Sequence, residues 1–283
     1  MTTDPVFFHD TQYLDLINDV LENGILKPNR TGVDTIAVFS RQLRFQLRGG
    51  SIPLLTTKKM HTRSIIHEIL WYLQGGDNIQ YLNDNDVTIW DEWADENGNL
   101  GPVYGYQWRK WPHSPEACTS GAIKWQHKDQ IADVIHKLRT NPNDRRLIVS
   151  AWNVGQIDDM ALPPCHYAFQ FFVGNGRLSC KVNQRSCDVG LGVPFNIVQY
   201  SILTHMIAHV TDLEPGELVW DGGDVHIYEN HVDQLKEQTT RNAYPSPKLK
   251  FARKVYEIDD FVYEDFKIVD YQHHPLIKME VAV

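Results

Sequence analysis

LPPCHYAFQFFVGNGRLSCKVNQRSCD, residues 162–188, reads as two strands joined by a tight turn. Apolar residues alternate after Cys165 as far as Val173, which is strand periodicity. Asn175-Gly176 is the strongest short-range hairpin signal, because both turn positions need positive φ. If those two residues form the loop, Cys165 faces Ser186 and His166 faces Arg185 on the return strand. The segment NQRSCD (183–188) then lies beside the thiol. Strict alternation sends Arg185 to the opposite face from Cys165, so only a bulge, or the end of regular pairing, brings the guanidinium to the sulfur. A cation there would lower a thiol pKa from about 8.5 and favour the nucleophilic thiolate. A half-buried structural cysteine fits the same pattern. A papain-like hydrolase with distant His and Asn also stays open, although its characteristic sequence around the nucleophile is absent.

The rest of the chain has 283 residues, 42% hydrophobic and 11% aromatic. That suffices for one large core, and no linker, repeat or low-complexity run divides it, so a single domain over 1–283 is expected. No apolar run approaches the about 18 residues of a membrane span. MTTDPVFFHD lacks a secretory signal, and four cysteines in so long a chain suit reduced thiols in the cytoplasm. The net charge of −9 argues against nucleic acid as an obligatory partner. Arg30, Arg145, Arg146 and Arg185 sit at loops and strand ends among small polar residues, which suits a small anionic ligand.

Helical spacing covers 10–23, 62–75, 126–140 and 197–211, and 35–47 alternates as a strand. Helix 62–75 is apolar on most sides yet carries Glu68, whose burial would cost several kcal/mol unless paired or protonated. Residues 77–105 read as irregular and 112–125 as a loop. His205 and His209 stand four apart on 197–211, a metal-compatible spacing without a third ligand, so structural histidines are the expectation. Helices and strands without βαβ rhythm indicate a mixed α/β or α+β fold.

PPCH (163–166), NQRSCDVGLGVPFNI (183–197) and GGDVHIYENH (222–231) together resemble the thymidylate synthase family. So do NRTGVDT (29–35), TTKKMHTRSIIHEILWYLQG (56–75), TIWDEWADENGNLGPVYGYQW (88–108), DRRLIVSAWN (144–153) and IKMEVAV (277–283), in the family's order over nearly the whole chain. The resemblance implies an α+β domain with a large mixed sheet forming a homodimer interface, flanked by helices. It implies reductive methylation of dUMP, with methylenetetrahydrofolate as cosubstrate, no metal, and no membrane partner.

By the same resemblance Cys165 is the nucleophile, and Glu68, Tyr104 and His166 handle protons. Asn196 reads the pyrimidine edge; its amide suits uracil better than cytosine, although a helix N-cap also fits it. Arg30, Arg185 and Ser186 grip phosphate, Gln184 lies by the base, and Arg145 and Arg146 reach the partner subunit's site. His226 and Tyr228 hold the sugar hydroxyl. Asp188 serves catalysis and folate together, with Trp90, Trp93, Gly192 and Phe195 in the folate pocket. Lys58 and His61 lie toward the folate entrance, and Ala282 and Val283 close over it. The chain departs from the family at Asn183, where Tyr is common, at Val198-Gln199, where Ala-Ser is common, and over 241–245. A hydroxymethylase of the same family, with water in place of hydride as final nucleophile, is the alternative reading.

Overall fold

The computed structural model describes residues 6–29, 32–117 and 123–281. Arg30, Ala282 and Val283 lie outside the described residues. In chain order the strands are β1 (Ile25–Lys27), β2 (Thr35–Gln46), β3 (Trp111–Ala117), β4 (Ile123–Lys128), β5 (Ile148–Ser150), β6 (His166–Gly174), β7 (Arg177–Asp188), β8 (Glu214–Tyr228), β9 (Lys248–Phe251) and β10 (Phe266–Val269). The helices are α1 (Asp10–Asn23), α2 (Thr62–Leu73), α3 (Gln80–Asn83), α4 (Tyr104–Arg109), α5 (Gln130–Thr140), α6 (Gly192–Val210) and α7 (Val232–Thr239).

One six-stranded sheet runs β1-β2-β8-β7-β6-β5. Its neighbours pair antiparallel except β7 and β8, which are parallel. That single parallel pair needs a crossover, and α6 supplies it. The register explains why one face is covered. Val149, Phe169, Val182, Trp220 and Leu43 stand in one row across five strands, and all are buried. The next row, Ile148, Gln170, Lys181, Val219 and Arg44, points the other way. That second face also carries Phe172, which is 69% exposed, and Ile148 is 48% exposed. The mixed sheet flanked by helices is thus the expected one, with one face left uncovered within the chain.

Helix α6 is buried on nearly every side, as its continuous apolar sequence requires. It starts at Gly192, earlier than the apolar spacing suggested, because Pro194 is tolerated in a first turn where its missing N–H bonds nothing. His205 and His209 are absorbed structurally. The His205 ring bonds the Ser201 carbonyl at 2.7 Å, and His209 Nε2 accepts from Val255 N–H at 3.0 Å.

The structure differs from the pattern in three places. Residues 112–125 are not a plain loop: β3 and β4 pair as an antiparallel ribbon with an irregularity between Pro112 and Ser114. Prolines concealed the strand, yet a two-stranded ribbon is all edge, where a missing N–H is tolerated. The helix expected from 126 begins at Gln130, because Asp129 accepts from Ala132 N–H at 2.9 Å and caps it. Within 77–105 the chain forms α3 and a 3₁₀ turn at Asp91–Trp93 before α4.

Burial depresses the pKa of His9 to about 4, His166 to about 3 and His205 to about 4. Unfolded, each titrates near 6.5, so the unfolded chain binds more protons below that pH. Stability is therefore expected to fall as pH drops from about 6.5 toward 4, by up to about 1.4 kcal/mol per unit for each histidine. Calorimetric Tm measured between about pH 7.5 and 5 checks this; a Tm that rises on acidification would contradict it.

Candidate active site

The hairpin of β6 and β7 holds the register expected from Asn175-Gly176 as far as Ala168↔Asn183. There it slips by one, so that His166 faces Gln184, with Tyr167 the extra residue of a bulge. The straight pairing of Cys165 with Ser186 is thereby replaced. Arg185 N–H donates to the Cys165 carbonyl at 2.8 Å, so the arginine now stands opposite the cysteine. Its guanidinium donates from Nε to Pro164 O and from Nη2 to Pro163 O, both at 2.9 Å, and lies 5.4 Å over the Trp152 ring. The two prolines thus do more than start a strand: their carbonyls hold the cation at the cleft that Cys165 also lines.

A cleft of about 670 Å³ opens at Cys165, lined by Lys27, Asn29, Arg185, Ser186, His226 and Tyr228 among others. An adjoining recess of about 220 Å³ shares Cys165, Ser186, His226 and Tyr228 and adds Gln184, Asp188, Gly192 and Asn196. Trp93 borders both. The other thiols within the described residues differ. Cys180 and Cys187 are buried, and burial raises Cys180 to about 12 and Cys187 higher still. Cys165, half-buried at the cleft, is the thiol with access to a ligand.

Beneath the cysteine lies a proton-bearing layer. Cys165 N–H donates to the Tyr104 hydroxyl at 2.8 Å. The Tyr104 ring stacks on His166 with centroids 4.2 Å apart, and His166 Nδ1 is 2.8 Å from the Tyr200 hydroxyl. His166 alternates inward from Cys165, and its burial keeps the imidazole neutral, so it offers no imidazolium to the thiol. Burial first, and the negative charge of a Cys165 thiolate second, hold Tyr104 as a phenol. Glu68 is buried and accepts from Tyr72 Oη at 3.0 Å, Trp90 Nε1 at 2.6 Å and Gln199 Nε2 at 2.8 Å. Three hydrogen bonds to a charged group, about 1.5–3 kcal/mol each, are of the size needed to offset burial of several kcal/mol. Burial still wins in direction and raises the Glu68 pKa.

The Gln184 amide is oriented by a donor that cannot accept. Trp220 Nε1 donates to Gln184 Oε1 at 2.9 Å. Because an indole is donor-only, Gln184 must present its oxygen there and its Nε2 elsewhere. That nitrogen donates to Asn196 Oδ1 and to Ser186 O, each at 3.0 Å. Asn196 Oδ1 is thus held toward Gln184, leaving its NH₂ to donate into the recess. Gly222 makes room for this relay, since a Cβ there would lie 2.3 Å from the Trp220 ring.

The remaining expected residues divide. His226 hydrogen-bonds Asp224 at 3.0 Å and packs edge-on to Tyr228, with both rings in the cleft. Gly192 opens α6 between Asp188 and Asn196. Trp90 is turned to Glu68 and packs edge-on to Trp93 at 5.8 Å. Phe195 packs partly on the core. Lys58 is not at an open entrance: it is 4% exposed and donates to Gly190 O at 2.7 Å, and burial lowers its pKa to about 8. His61 is exposed, bonds Ser64 at the start of α2, and lines neither cavity. Arg145 and Arg146 are exposed away from both cavities, with Arg146 paired to Asp144 at 3.1 Å. The C-terminal stretch docks beside Asp188: His231 bonds the Glu280 carbonyl at 2.6 Å, and a Cβ on Gly190 would meet both His231 and Met279.

Trp220, Tyr72, Tyr200 and Asp224 were not singled out from sequence. Tyr72 had a signal, one helical turn after Glu68 on the same face. Trp220 had none, because its partner is 36 residues away on the neighbouring strand.

A family model described as thymidylate synthase matches residues 11–283. The chain belongs to that family, and it is an enzyme of the methyltransferase type.

Trp220→Phe replaces the buried indole with a smaller phenyl ring and removes the N–H, freeing the Gln184 and Asn196 amides to turn. Whatever preference the unmodified protein shows for a uracil over a cytosine nucleotide is expected to narrow by roughly tenfold, the equivalent of about 1.4 kcal/mol. Calorimetric titration with dUMP and dCMP measures it, and an unchanged ratio would refute the relay.

Proposed function

We propose that this member of the thymidylate synthase family converts dUMP to dTMP, taking both carbon and hydride from methylenetetrahydrofolate. The observation that carries the reading is the juxtaposition of Cys165, Arg185 and the Asn196 amide around the cleft and its adjoining recess. Uracil carbon 5 is a weak nucleophile. Addition of the Cys165 thiolate to carbon 6 moves the ring π electrons toward carbon 5 and the carbonyl oxygen, giving an enolate. The Asn196 NH₂ is turned to donate to that oxygen as its charge grows. Arg185 and Ser186 line the phosphate end, with Arg30 expected there also. His226 and Tyr228 border the sugar.

Flat walls at Trp93 and an acidic group at Asp188 suit the folate ring, which supplies the one-carbon unit and the hydride. Tyr104, a phenol, relays protons between the substrate side and the layer below it. Glu68, whose hold on a proton is strengthened by burial, suits proton exchange. The docked C-terminal stretch would exclude water from the final step. Loss of the sulfur from carbon 6 returns the thiolate and closes the cycle.

The uncovered sheet face suits a second copy of the chain. Phe172, Ile148 and Phe39 are exposed on the sheet, and Arg145 and Arg146 are free of the chain's own cleft, as residues reaching a partner's site must be. Phe172→Asp is expected to convert a dimer to monomers in sedimentation and to lower turnover. A wild-type dimer content in that variant would speak against this face.

Incubation with dUMP and methylenetetrahydrofolate, followed by mass analysis, tests the reaction: dTMP and dihydrofolate are expected in equal amounts. Hydroxymethyl-dUMP without dihydrofolate would establish the hydroxymethylase reading instead. Cys165→Ser is expected to bind dUMP yet lose roughly three orders of magnitude in kcat or more. A fluorinated dUMP with methylenetetrahydrofolate should leave a covalent adduct on the Cys165 peptide; no adduct and undiminished serine-variant turnover would end the proposal.

A further inference from the structure

The Glu68 carboxylate is asymmetrically served. Oε1 takes two donors, Tyr72 and Trp90, while Oε2 takes the Gln199 amide at 2.8 Å. Gln199 is 1% exposed, and its own Oε1 is buried with no partner among the described residues. An orphaned buried carbonyl costs about as much as a hydrogen bond contributes, so its presence beside a titratable group needs a reason. An amide has a donor end and an acceptor end on one rotatable bond. Against an ionised Glu68 it must offer the donor, which strands the carbonyl. Against a protonated Glu68 a half-turn offers the carbonyl to the acid O–H and moves the NH₂ to the place the carbonyl held.

We propose that Gln199 is a positioning residue that sets the proton affinity of Glu68, donating to the carboxylate and, by turning its amide, accepting from the acid. The proton taken up on Oε2 is thereby held on the α6 side, while Tyr72 and Trp90 keep Oε1 in place. Gln199 lies three residues after Asn196 on α6, so one helix face serves both the pyrimidine edge and the carboxylate. The titratable groups packed around Glu68 are Tyr72 on α2, Tyr104 on α4, Tyr200 on α6 and His166 on β6, with Cys165 beyond Tyr104. The three tyrosines are held neutral by burial, and His166 is neutral for the same reason. Arg185 acts on Tyr104 from β7. Among these described neighbours Glu68 is therefore the group whose ionisation the Gln199 donor chiefly controls.

This inference rests on the proposed role of Glu68 in proton transfer, and the two are separable by experiment. The Trp90 indole N–H donates to Glu68 Oε1, so its NMR signal reports the protonation of Glu68 without any turnover. The signal is assigned with Trp90→Phe and followed through a pH series in the full-length protein. Gln199→Met keeps an unbranched side chain of similar length and removes both amide ends. The titration midpoint is expected to rise by about one unit, a tenfold change in proton affinity. Gln199→Glu, which sets a second carboxylate against the first, is expected to raise it further. The acidic limb of the pH–kcat profile should move with the midpoint. A midpoint unmoved in both variants overturns the proposal. A moved midpoint with an unmoved pH–kcat profile upholds it and counts instead against Glu68 as a proton carrier.

Discussion

The site depends on one irregularity in one hairpin. Without the extra residue at Tyr167, β6 and β7 would pair straight to their ends and Arg185 would stand across from His166. The slip turns Arg185 to face Cys165, where the backbone bond to the Cys165 carbonyl and the two proline carbonyls hold it. A strand pair has period two, so a shift of a single residue exchanges faces. The bulge is therefore the step by which an ordinary alternating hairpin becomes a charged pocket around a thiol. Gly223 accommodates the same place from the other side, lying against the Arg185 backbone where a Cβ would come within 3.1 Å of its carbonyl oxygen.

A second constraint lies below the first. Helix α2 and helix α6 pack into one core, and Glu68 is carried into it on α2. An unaccompanied buried carboxylate would destabilise the fold by more than most single substitutions do. Its hydrogen-bond donors come from three segments, so α2, the loop bearing Trp90 and α6 are coupled through one charge. The same helix α6 that closes the parallel crossover of the sheet therefore also brings Asn196 to the recess and Gln199 to the carboxylate. Fold and chemistry share that helix, and its burial is what keeps both amides in fixed positions.

Local pattern made the long elements legible. The Asn-Gly turn predicted the hairpin and its register, and the register named its own exception, since a bulge was required for the cysteine and arginine to meet. Apolar spacing predicted α1, α2 and most of α6. What it missed follows from what a pattern cannot carry. The β3–β4 ribbon was hidden by its prolines, which are disfavoured in a central strand but harmless at an edge. The placement of Lys58 inside, donating to Gly190, depends on a contact 132 residues away. The Trp220–Gln184–Asn196 relay joins two strands and a helix and leaves no periodic trace. Gln199 was visible only as a departure from the resembled family, and its meaning needed the distance to Glu68.

The central claim is that a nucleotide sits with its ring over Cys165 while the Arg185 side holds its phosphate. A crystal structure of the protein with dUMP bound tests this most directly. Carbon 6 of the uracil is expected in contact with the Cys165 sulfur, the ring carbonyl against the Asn196 NH₂, and the phosphate against Arg185 and Ser186. A nucleotide bound with its ring turned away from Cys165, or its phosphate in another part of the surface, would contradict it.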